Sequence, residues 1–429
     1  MDFGQCKGRK IEVNFAGGDI TSDAGVLLLK KVDQKIKLTQ RIAKILNDPR
    51  IKKYSKHSVL SMLRQLVYGI ALGYEDLNDH DNLRNDKIFQ TAIDCDKNLA
   101  SSPTLCRFEN WIDRKALIAM SEVLIQTFIE SYKKPPKNLI LDFDGTDDKV
   151  HGNQVGGLYH GYYRHRCFLP LYVFCEHHLL VAYLRPGNVP DSKHSLAILK
   201  LLTKKLRSHW PSVSITFRGD GSYCRHGLFS WCERNNVNYI VGIPSNNRIK
   251  NIVRPKLLEV ENLFNKVNKK QRFFTEFNYA AKTWKKQRKI ILKAEYNTHG
   301  LKTRYIVTNL NGKSKILYEK VYCARGNMEN RIKEQQLYLF ADRTSSKKWL
   351  TNQFRLLLSS VAYTLLEAMR RIALKKTELA KATCSTIRLK LLKIGAVVIK
   401  NTRKIRTLLS TTYPWQALFK FTYDRLAKT

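Results

Sequence analysis

One aspartate lies at the end of an apolar run, where a carboxylate is unexpected unless it has a role. Asp144 ends the apolar run that starts at Leu139, and Gly145 follows it. A carboxylate beside apolar residues is costly unless it has a role, and the glycine lets a substrate backbone approach closely. Asp142 lies two positions earlier and would share a strand face with Asp144. We predict Asp144 as the functional acid, with turn capping as the alternative and a shared role for Asp142 left open.

Two further acids complete a possible set. Asp220 stands between two glycines at the end of another apolar run, although Gly-Asp-Gly is also a common turn. Tyr322, Arg325 and Glu329 follow each other at steps of three and four, so in a helix they would share one face. The alternative is an Arg–Glu pair on a solvated helix face, and Glu334 is equally available as an acid.

Three carboxylates at one sheet edge suit Mg²⁺, because this ion prefers hard oxygen ligands and keeps positions for water and phosphate oxygens. Two such ions would activate an attacking water or 3′-hydroxyl and stabilise the departing oxygen of an in-line displacement. The prediction is therefore two Mg²⁺ ions held by Asp144, Asp220 and Glu329. Mn²⁺ is expected to substitute for Mg²⁺.

The charge of the chain indicates a polyanionic partner. Lys and Arg total 76 against 36 Asp and Glu, which gives a net charge of +40. The excess recurs in separate regions, with 18 basic and 3 acidic residues in 345–429 and 15 and 4 in 250–304. Two basic regions suit double-stranded DNA better than one small anion. A solvated surface that resists aggregation is the alternative.

Composition also predicts the compartment. The sequence has no run of 18 uncharged apolar residues and no basic-then-apolar signal pattern at its start, so a cytoplasmic protein is expected. Nine cysteines without a Cys-x-x-Cys pair indicate reduced thiols. His165, Cys167, Cys175 and His177 could form a zinc site, but the apolar strand pattern between them favours ordinary strand residues.

The elements that position these residues change character along the chain. An amphipathic helix is predicted over 58–73, capped by Ser58, and a second begins at Ser102 with Pro103 in its first turn. A Pro-Pro pair then breaks the helical pattern. The sequence therefore predicts a mainly helical N-terminal region over 1–134.

Beyond the Pro-Pro pair the pattern predicts a mixture of strands and helices. In chain order we predict strands at 139–144, 168–175 and 178–184, a helix at 193–208, a strand at 213–218, a helix at 225–235, a strand at 238–243 and a helix at about 327–336. This is the element order of the ribonuclease H-like fold. In that order the first and fourth strands are central neighbours, which would bring Asp220 close to Asp144.

About 80 residues separate the last of these strands from the final helix, more than a connection needs. Strand patterns predict a β-rich insertion there, at 273–279, 289–296 and 303–310. Within it, Trp284 lies among Lys285, Lys286 and Arg288 and could stack a displaced DNA base. A tryptophan that packs on the subdomain is an equally good explanation.

The predicted fold class is α/β: a ribonuclease H-like core, an all-helical N-terminal domain and a β-rich insertion between the last core strand and the helix with Glu329. The core would comprise 135–248 and 319–372, including a long helix from Trp349 to about Met369. The insertion would span 249–318. A basic C-terminal region would follow at 373–429.

The sequence resembles the DDE transposases of bacterial insertion sequences, specifically the insertion-sequence 1380 family of the wider insertion-sequence 4 group. The resemblance covers nearly the whole chain. It lies, in order, in Phe15–Asp19, Ser22–Gly25, Ser102–Asn110, Asp142–Asp148, Arg218–Gly221 and Tyr322–Glu329. It implies cut-and-paste transposition by metal-dependent cleavage and strand transfer at terminal inverted repeats, which the helical N-terminal region would bind.

The resemblance also assigns residues. It places the catalytic and metal-binding set on Asp144, Asp220 and Glu329, which are separated by 76 and 109 residues.

The family's Tyr and Arg, which grip phosphate in related enzymes, fall on Tyr322 and Arg325. The family's usual Lys seven residues after the Glu is Gln336 here, so Lys333 is the candidate replacement.

The family further implies a homodimer on DNA, because two element ends must be held together. Two other functions share these features. A ribonuclease H-like nuclease would use the same metal chemistry for hydrolysis alone, and a catalytically decayed relative would bind DNA without cutting it.

Overall fold

The structure is a computed structural model that describes residues 1–428. Its contacts divide the chain into two units, one formed by Met1–Val123 together with the chain from Glu334 onward, and the other by Leu124–Lys333. Thr429, the last residue of the predicted C-terminal region, lies outside the described residues. None of the described helices combines the length and apolar character needed to cross a membrane.

The N-terminal part is mainly helical, as predicted, but strands precede the helices. Its elements are β1 Asp2–Cys6, β2 Arg9–Glu12, β3 Ile20–Thr21, α1 Val26–Ile36, α2 Leu38–Ile45, a 3-10 turn Lys52–Tyr54, α3 Val59–Leu72, α4 Asp79–Leu83, α5 Lys87–Ala92, α6 Ser102–Asn110 and α7 Arg114–Glu130. The Ser58 hydroxyl accepts from the Ser61 amide at the start of α3, and Gly73 ends it at φ +98°. The β1–β2 hairpin is exposed throughout and so lacks the apolar alternation that would have predicted it.

The elements from residue 138 to residue 242 follow the predicted order. They are β4 Asn138–Gly145, β5 Asp148–Lys149, β6 Leu158–His160, β7 His165–Phe168, β8 Leu171–Cys175, β9 His178–Tyr183, α8 Ser195–His209, β10 Ser214–Gly219, a 3-10 turn Gly221–Tyr223, α9 His226–Arg234 and β11 Asn238–Gly242. The predicted strand 168–175 is split after Phe168, because Pro170 cannot donate to a strand ladder. β5, β7 and β6 form a small sheet of their own, which the sequence did not predict.

The next part of the chain contains the three predicted insertion strands and, before them, a long helix that was not predicted. Its elements are α10 Asn247–Val267, β12 Gln271–Tyr279, β13 Arg288–Asn297, β14 Gly300–Thr308, α11 Ser314–Ile316, a π-helical segment Leu317–Tyr322, a 3-10 turn Cys323–Arg325, α12 Gly326–Lys333 and a second π-helical segment Glu334–Tyr338. Pro255 lies inside α10. The apolar stripe of this helix is narrow, comprising Ile249, Val253 and Val260, and many basic residues interrupt it in the sequence. These two features masked the helix in the sequence.

The predicted insertion strands do not form a separate subdomain. They belong to one eight-stranded sheet in the order β12-β13-β14-β11-β10-β4-β8-β9. The junction is made by β14, which pairs antiparallel with β11 from Ile306 to Thr308. This pairing satisfies the backbone edge that β11 would otherwise leave open, which explains why the strands join the sheet.

The two faces of this sheet carry different layers. Tyr239 and Val241 of β11 face a core shared with α8, α9 and α10. Ile240, one position between them, faces the other side, where Leu317 and Tyr318 pack. The helical segment that leads to Arg325 and Glu329 is therefore anchored on the sheet by apolar burial.

The remaining elements are α13 Trp349–Ile372, α14 Cys384–Ile387, a π-helical segment Arg388–Leu392, β15 Ala396–Lys400, β16 Ile405–Leu409 and α15 Gln416–Ala427. α13 confirms the predicted long helix. β15 lies between β16 and β3 in a three-stranded sheet, so the basic C-terminal region is an ordered partner of the N-terminal strand Ile20–Thr21.

Candidate active site

Two parallel strands bring the first two predicted acids to the same edge of the sheet. β4 pairs with β10 in a register that places Asp142 beside Arg218. Asp144 and Asp220 each follow two residues later, at the carboxyl ends of these strands. The prediction that these strands are neighbours is confirmed.

Asp142 and Asp144 have different surroundings although they share a strand. Asp142 is 3% exposed and is held by the guanidinium of Arg218, whose Nη2 donates to Asp142 Oδ2 over 2.7 Å and whose Nε donates to Oδ1. Burial raises the pKa of Asp142, while Arg218 opposes that rise. Arg218 Nη1 also donates to the carbonyl of Val321. Asp142 and Arg218 therefore position the helical segment against the strand ends.

A cleft of about 380 Å³ opens at this edge. We call it the carboxylate cleft, and it is lined by Asp144, Gly145, Tyr162, Tyr163, Asp191, Asp220, Ser222, Arg325 and Glu329. All three acids proposed from the sequence line it, although they come from distant parts of the chain. Asp191 is a fourth acid that the sequence reasoning missed.

Asp144 is the most perturbed acid of the cleft. Burial raises its pKa to about 7, with a smaller contribution from the negative charges of Asp220 and Glu329 and an opposing one from Arg325. Burial likewise raises the pKa of Asp191, against the effect of the nearby Arg185. Carboxylates that are buried close to one another favour the protonated form. The cleft therefore attracts positive charge.

The turn after β10 fixes Asp220. Its Oδ1 accepts from the Ser222 amide over 2.9 Å and from the Ser222 hydroxyl over 2.6 Å. Gly242 on the neighbouring strand makes room for this turn, because a Cβ there would lie 2.8 Å from the Gly221 nitrogen and 2.8 Å from the Tyr322 hydroxyl. The Gly-Asp-Gly turn is thus both a turn and the support of a cleft residue.

Arg325 lies between two of the acids. Its Nη1 donates to Asp144 Oδ2 over 2.8 Å, and its Nη2 donates to Glu329 Oε1 over 2.7 Å. Although burial opposes it, the pKa of Arg325 is raised by these two carboxylates. The predicted shared face of Arg325 and Glu329 is therefore present, and the guanidinium neutralises part of the cleft.

Two other residues of the predicted signature lie outside the cleft lining. Tyr322 is half-buried against Tyr318, with ring centroids 5.7 Å apart. Burial raises the pKa of Tyr322. Lys333 is exposed on α12. Their predicted contacts with DNA phosphate stay predictions.

The structure contradicts the prediction that Trp284 and Arg288 face DNA. Trp284 is buried with Phe229 and Tyr279, and the Arg288 guanidinium lies 5.0 Å from its ring centroid. Arg288 is 4% exposed and donates to Glu233 over 2.8 and 3.0 Å.

A partly apolar core thus holds this cation–aromatic pair, which is the packing alternative given above. Lys286 also pairs with Glu233, over 3.2 Å, while Lys285 is exposed. For these two lysines a DNA contact stays a prediction.

The cleft has the donor chemistry for a hard divalent cation, namely several carboxylates and few other ligands. Within residues 1–428, however, no three His, Cys, Asp or Glu side chains are close enough to form a ready metal site. At the cleft, the guanidinium of Arg325 lies between Asp144 and Glu329. The residues fit the ion by type.

A second charged cavity, of about 610 Å³, lies in the unit that contains the N-terminus. We call it the basic pocket, and it is lined by Arg50, Ile51, Tyr54, Ser55, Lys56, His57, Arg84, Ser101, Thr104, Arg107 and Trp111. No carboxylate is among these residues, although Asp48 outside the lining pairs with Arg50 over 2.8 Å. The pKa of His57 is lowered, first by burial and then by the charges of Arg50 and Arg84.

Sequence reasoning missed several residues of these cavities. Asp191 follows a proline in a loop before α8, where an acid is usually a turn residue. Tyr162 and Tyr163 belong to a stretch in which tyrosine, histidine and arginine crowd around Gly161, and that density was the available signal. The cations of the basic pocket are spread from Arg50 to Arg107 in the sequence and become a group only on folding.

Comparison with known proteins gives one family match. The model of the family described as Transposase DDE domain group 1 matches residues 3–429. A comparison with curated proteins finds no match. Among solved structures, a piggyBac transposase synaptic complex with hairpin DNA is similar at a TM-score of 0.44 and 10% identity, over 95% of this chain and 82% of that one.

Proposed function

This chain belongs to the transposase DDE domain group 1 family, and we propose that it is an active enzyme that cuts and rejoins DNA at the terminal inverted repeats of an insertion sequence. One observation carries the proposal. Asp144, Asp220 and Glu329, from distant parts of the sequence, line one cleft with Arg325 between them.

Under this proposal Asp144, Asp220 and Glu329 hold the divalent cations, with Mg²⁺ as the expected metal and Mn²⁺ as a substitute. Such ions would activate the attacking oxygen and stabilise the charge on the leaving oxygen of a phosphodiester. Asp191 is a further carboxylate within the same lining.

The chain's own residues prepare this site in separate ways. Ser222 orients Asp220 through two hydrogen bonds. Arg218 ties β4 and β10 to the helical segment that carries Arg325 and Glu329. Arg325, which is a planar donor of paired hydrogen bonds, would turn from the carboxylates to a phosphate when DNA enters.

DNA is the proposed partner because the net charge of +40 favours a polyanion. The basic pocket supports a DNA-binding role for the N-terminal region 1–134. The order β9-β8-β4-β10-β11 within the sheet supports a ribonuclease H-like core. Membership of the insertion-sequence 1380 family, a bacterial cytoplasmic setting and a homodimer on DNA remain parts of this proposal.

The test is a cleavage assay on duplexes that carry the element's ends, with Mg²⁺ added. Wild type should cut, and Asp220→Ala should cut at least 100-fold more slowly, since even the loss of an outer-shell partner costs about 10- to 100-fold. Glu259→Ala is the matched control, because it removes an exposed acid in a surface pair with Lys256. Equal cutting by wild type and Asp220→Ala would reject the enzyme.

A second assay separates a transposase from a nuclease of the same fold. Pre-cut ends with free 3′-hydroxyls are incubated with a supercoiled target plasmid and Mg²⁺. A transposase joins the ends to the plasmid, whereas a nuclease leaves them free. Absence of joined product with efficient cutting would identify a nuclease.

A further inference from the structure

A short hairpin carries tyrosines into the carboxylate cleft. β6 and β7 pair from Leu158 to Cys167, and the last pair of the ladder is His160 with His165. Residues 161–164 form the tip, which is closed by the Arg164 amide donating to the His160 carbonyl over 2.8 Å. Arg164 has φ +59°, so the tip is a tight turn.

The two tyrosines at the tip are held differently. The Tyr163 ring lies 4.8 Å from the His160 ring and 6.0 Å from the His165 ring, and His165 in turn contacts Asp147 Oδ2 over 2.9 Å. Tyr163 is thus a fixed support. The Tyr162 ring stands nearly perpendicular to it, at 83° and 5.1 Å between centroids.

Tyr162 is both exposed and part of the cleft. Its side chain is 82% exposed, and it also lines the cleft with Asp144 and Asp220. An aromatic ring that is exposed to water beside a group of carboxylates does not stabilise the fold through burial. Arg164 and Arg166, both exposed, add positive charge on the same hairpin. Aromatic and basic groups together are the usual contacts of a nucleic-acid strand with unpaired bases.

We propose that Tyr162 is a stacking site for one unpaired DNA base next to the phosphodiester held in the carboxylate cleft. The inference rests on the proposed function, which places that phosphodiester at Asp144 and Asp220. Neighbouring base pairs cover both faces of an internal base in an undistorted duplex, so the hairpin recognises a distorted or frayed strand end. Because every base has a π-face, the contact is tolerant of sequence.

The probe is a pre-cut DNA duplex that carries a single unpaired 2-aminopurine at one 3′ end, added with Mg²⁺ and without target DNA, so that the carboxylates can hold the phosphate and nothing is cut or joined. Wild type should change the fluorescence of the 2-aminopurine on binding, through stacking on the Tyr162 ring. Tyr162→Ala should lose that change and bind the probe about tenfold more weakly, within the range for one stacked base. Tyr162→Phe should keep both properties, because the ring carries the contact.

Tyr159→Ala is the matched control. Tyr159 is 61% exposed on the same hairpin but does not line the cleft. The Tyr159→Ala protein should bind the probe as wild type does. On a fully paired duplex, neither Tyr159→Ala nor Tyr162→Ala should differ from wild type. Equal losses in Tyr159→Ala and Tyr162→Ala, or an unchanged fluorescence response in Tyr162→Ala, would overturn the proposal.

The outcomes also separate this proposal from the proposed function. The probe reports stacking without cleavage, and the Mg²⁺ cleavage assay is run in parallel on each variant. If wild type cuts DNA and Tyr162→Ala keeps the fluorescence change, the tyrosine site is refuted and the proposed function is not. If Tyr162→Ala instead changes the molar mass of the protein in solution and leaves the fluorescence signal intact, the hairpin is a protein contact and the DNA site is refuted.

Discussion

The carboxylate cleft and the basic pocket each bring charges of one sign close together, negative in the cleft and positive in the pocket. Each collects like charges where water is restricted: Asp144, Asp191, Asp220 and Glu329 around one arginine in the cleft, and cations without a lining acid in the pocket. In both, burial moves a pKa toward the neutral form, upward to about 7 for Asp144 and downward for His57.

The difference between the two cavities lies in how they are built. The cleft is formed by strand ends and a helix that are tied together by Asp142 and Arg218. The basic pocket is formed by loops and short helical ends, including the start of α6 and the 3-10 turn before α3. The cleft therefore has fixed geometry suited to chemistry, whereas the pocket has positive charge suited to a phosphate backbone.

The largest effect is expected where the cleft depends on a buried ion pair. Asp142→Ala leaves Arg218 charged and unpaired in the interior, so it should lower the free energy of unfolding by about 3–5 kcal/mol, measured by urea denaturation. Asp144→Asn is the matched control two residues along the strand, and it should abolish Mg²⁺-dependent cutting while it keeps the stability and DNA binding.

The reverse pattern, with Asp142→Ala stable and inactive and Asp144→Asn fully active, would exchange the two roles. The contrast between a positioning acid and a cleft acid would then be wrong.

A smaller effect is expected from charge reversal in the basic pocket. Lys56→Glu and Arg107→Glu should each weaken DNA binding about tenfold, since a hydrogen bond to a charged group contributes about 1.5–3 kcal/mol. Each should also reduce the slope of log Kd against log salt concentration by about 1, because one DNA phosphate is no longer neutralised. Binding is measured by fluorescence anisotropy at several salt concentrations.

Lys115→Glu gives the matched control for these variants. Lys115 is exposed in the same unit but does not line the pocket. Reversing its charge changes the net charge of the protein by the same amount. If all three variants weaken binding by the same factor, total charge rather than the pocket explains the affinity.

The smallest effect concerns protonation of His57. DNA phosphate in the pocket should offset the repulsion from Arg50 and Arg84, so it should raise the lowered pKa of His57 toward 6.5. Because binding then takes up a proton, affinity should increase as the pH falls through this range. An NMR titration of the His57 ring with and without duplex DNA measures the shift. The same pKa in both titrations would show that no phosphate reaches the ring.

The two cavities also differ in what the sequence could predict. Asp144 and Asp220 could be found because each ends an apolar run, and strand order alone placed them together. Glu329 needed the family resemblance, because an Arg–Glu pair at a spacing of four is common on any helix. Lys56, Arg84 and Arg107 lie in three separate segments, and no local pattern relates such positions before the chain folds.

The errors have physical reasons as well. Trp284 with basic neighbours resembled a surface that binds bases, but the acid that pairs with Arg288 is Glu233, 55 residues away. The strands after α10 looked self-contained because their pairing with each other is local. Their pairing with β11 is long-range and depends on an open edge that the sequence does not display.

The pairing of β3 with β15 has a consequence for synthesis. Ile20 and Thr21 pair with Val397 and Ala396, so about 375 further residues must be added before these partners exist. At ribosomal rates of about 5–20 residues per second, the first segment is without this partner for about 20–75 s. The sheet of β3, β15 and β16 therefore cannot close until Leu409 has been made, and a transcript cut short before that point yields a protein in which this sheet is absent.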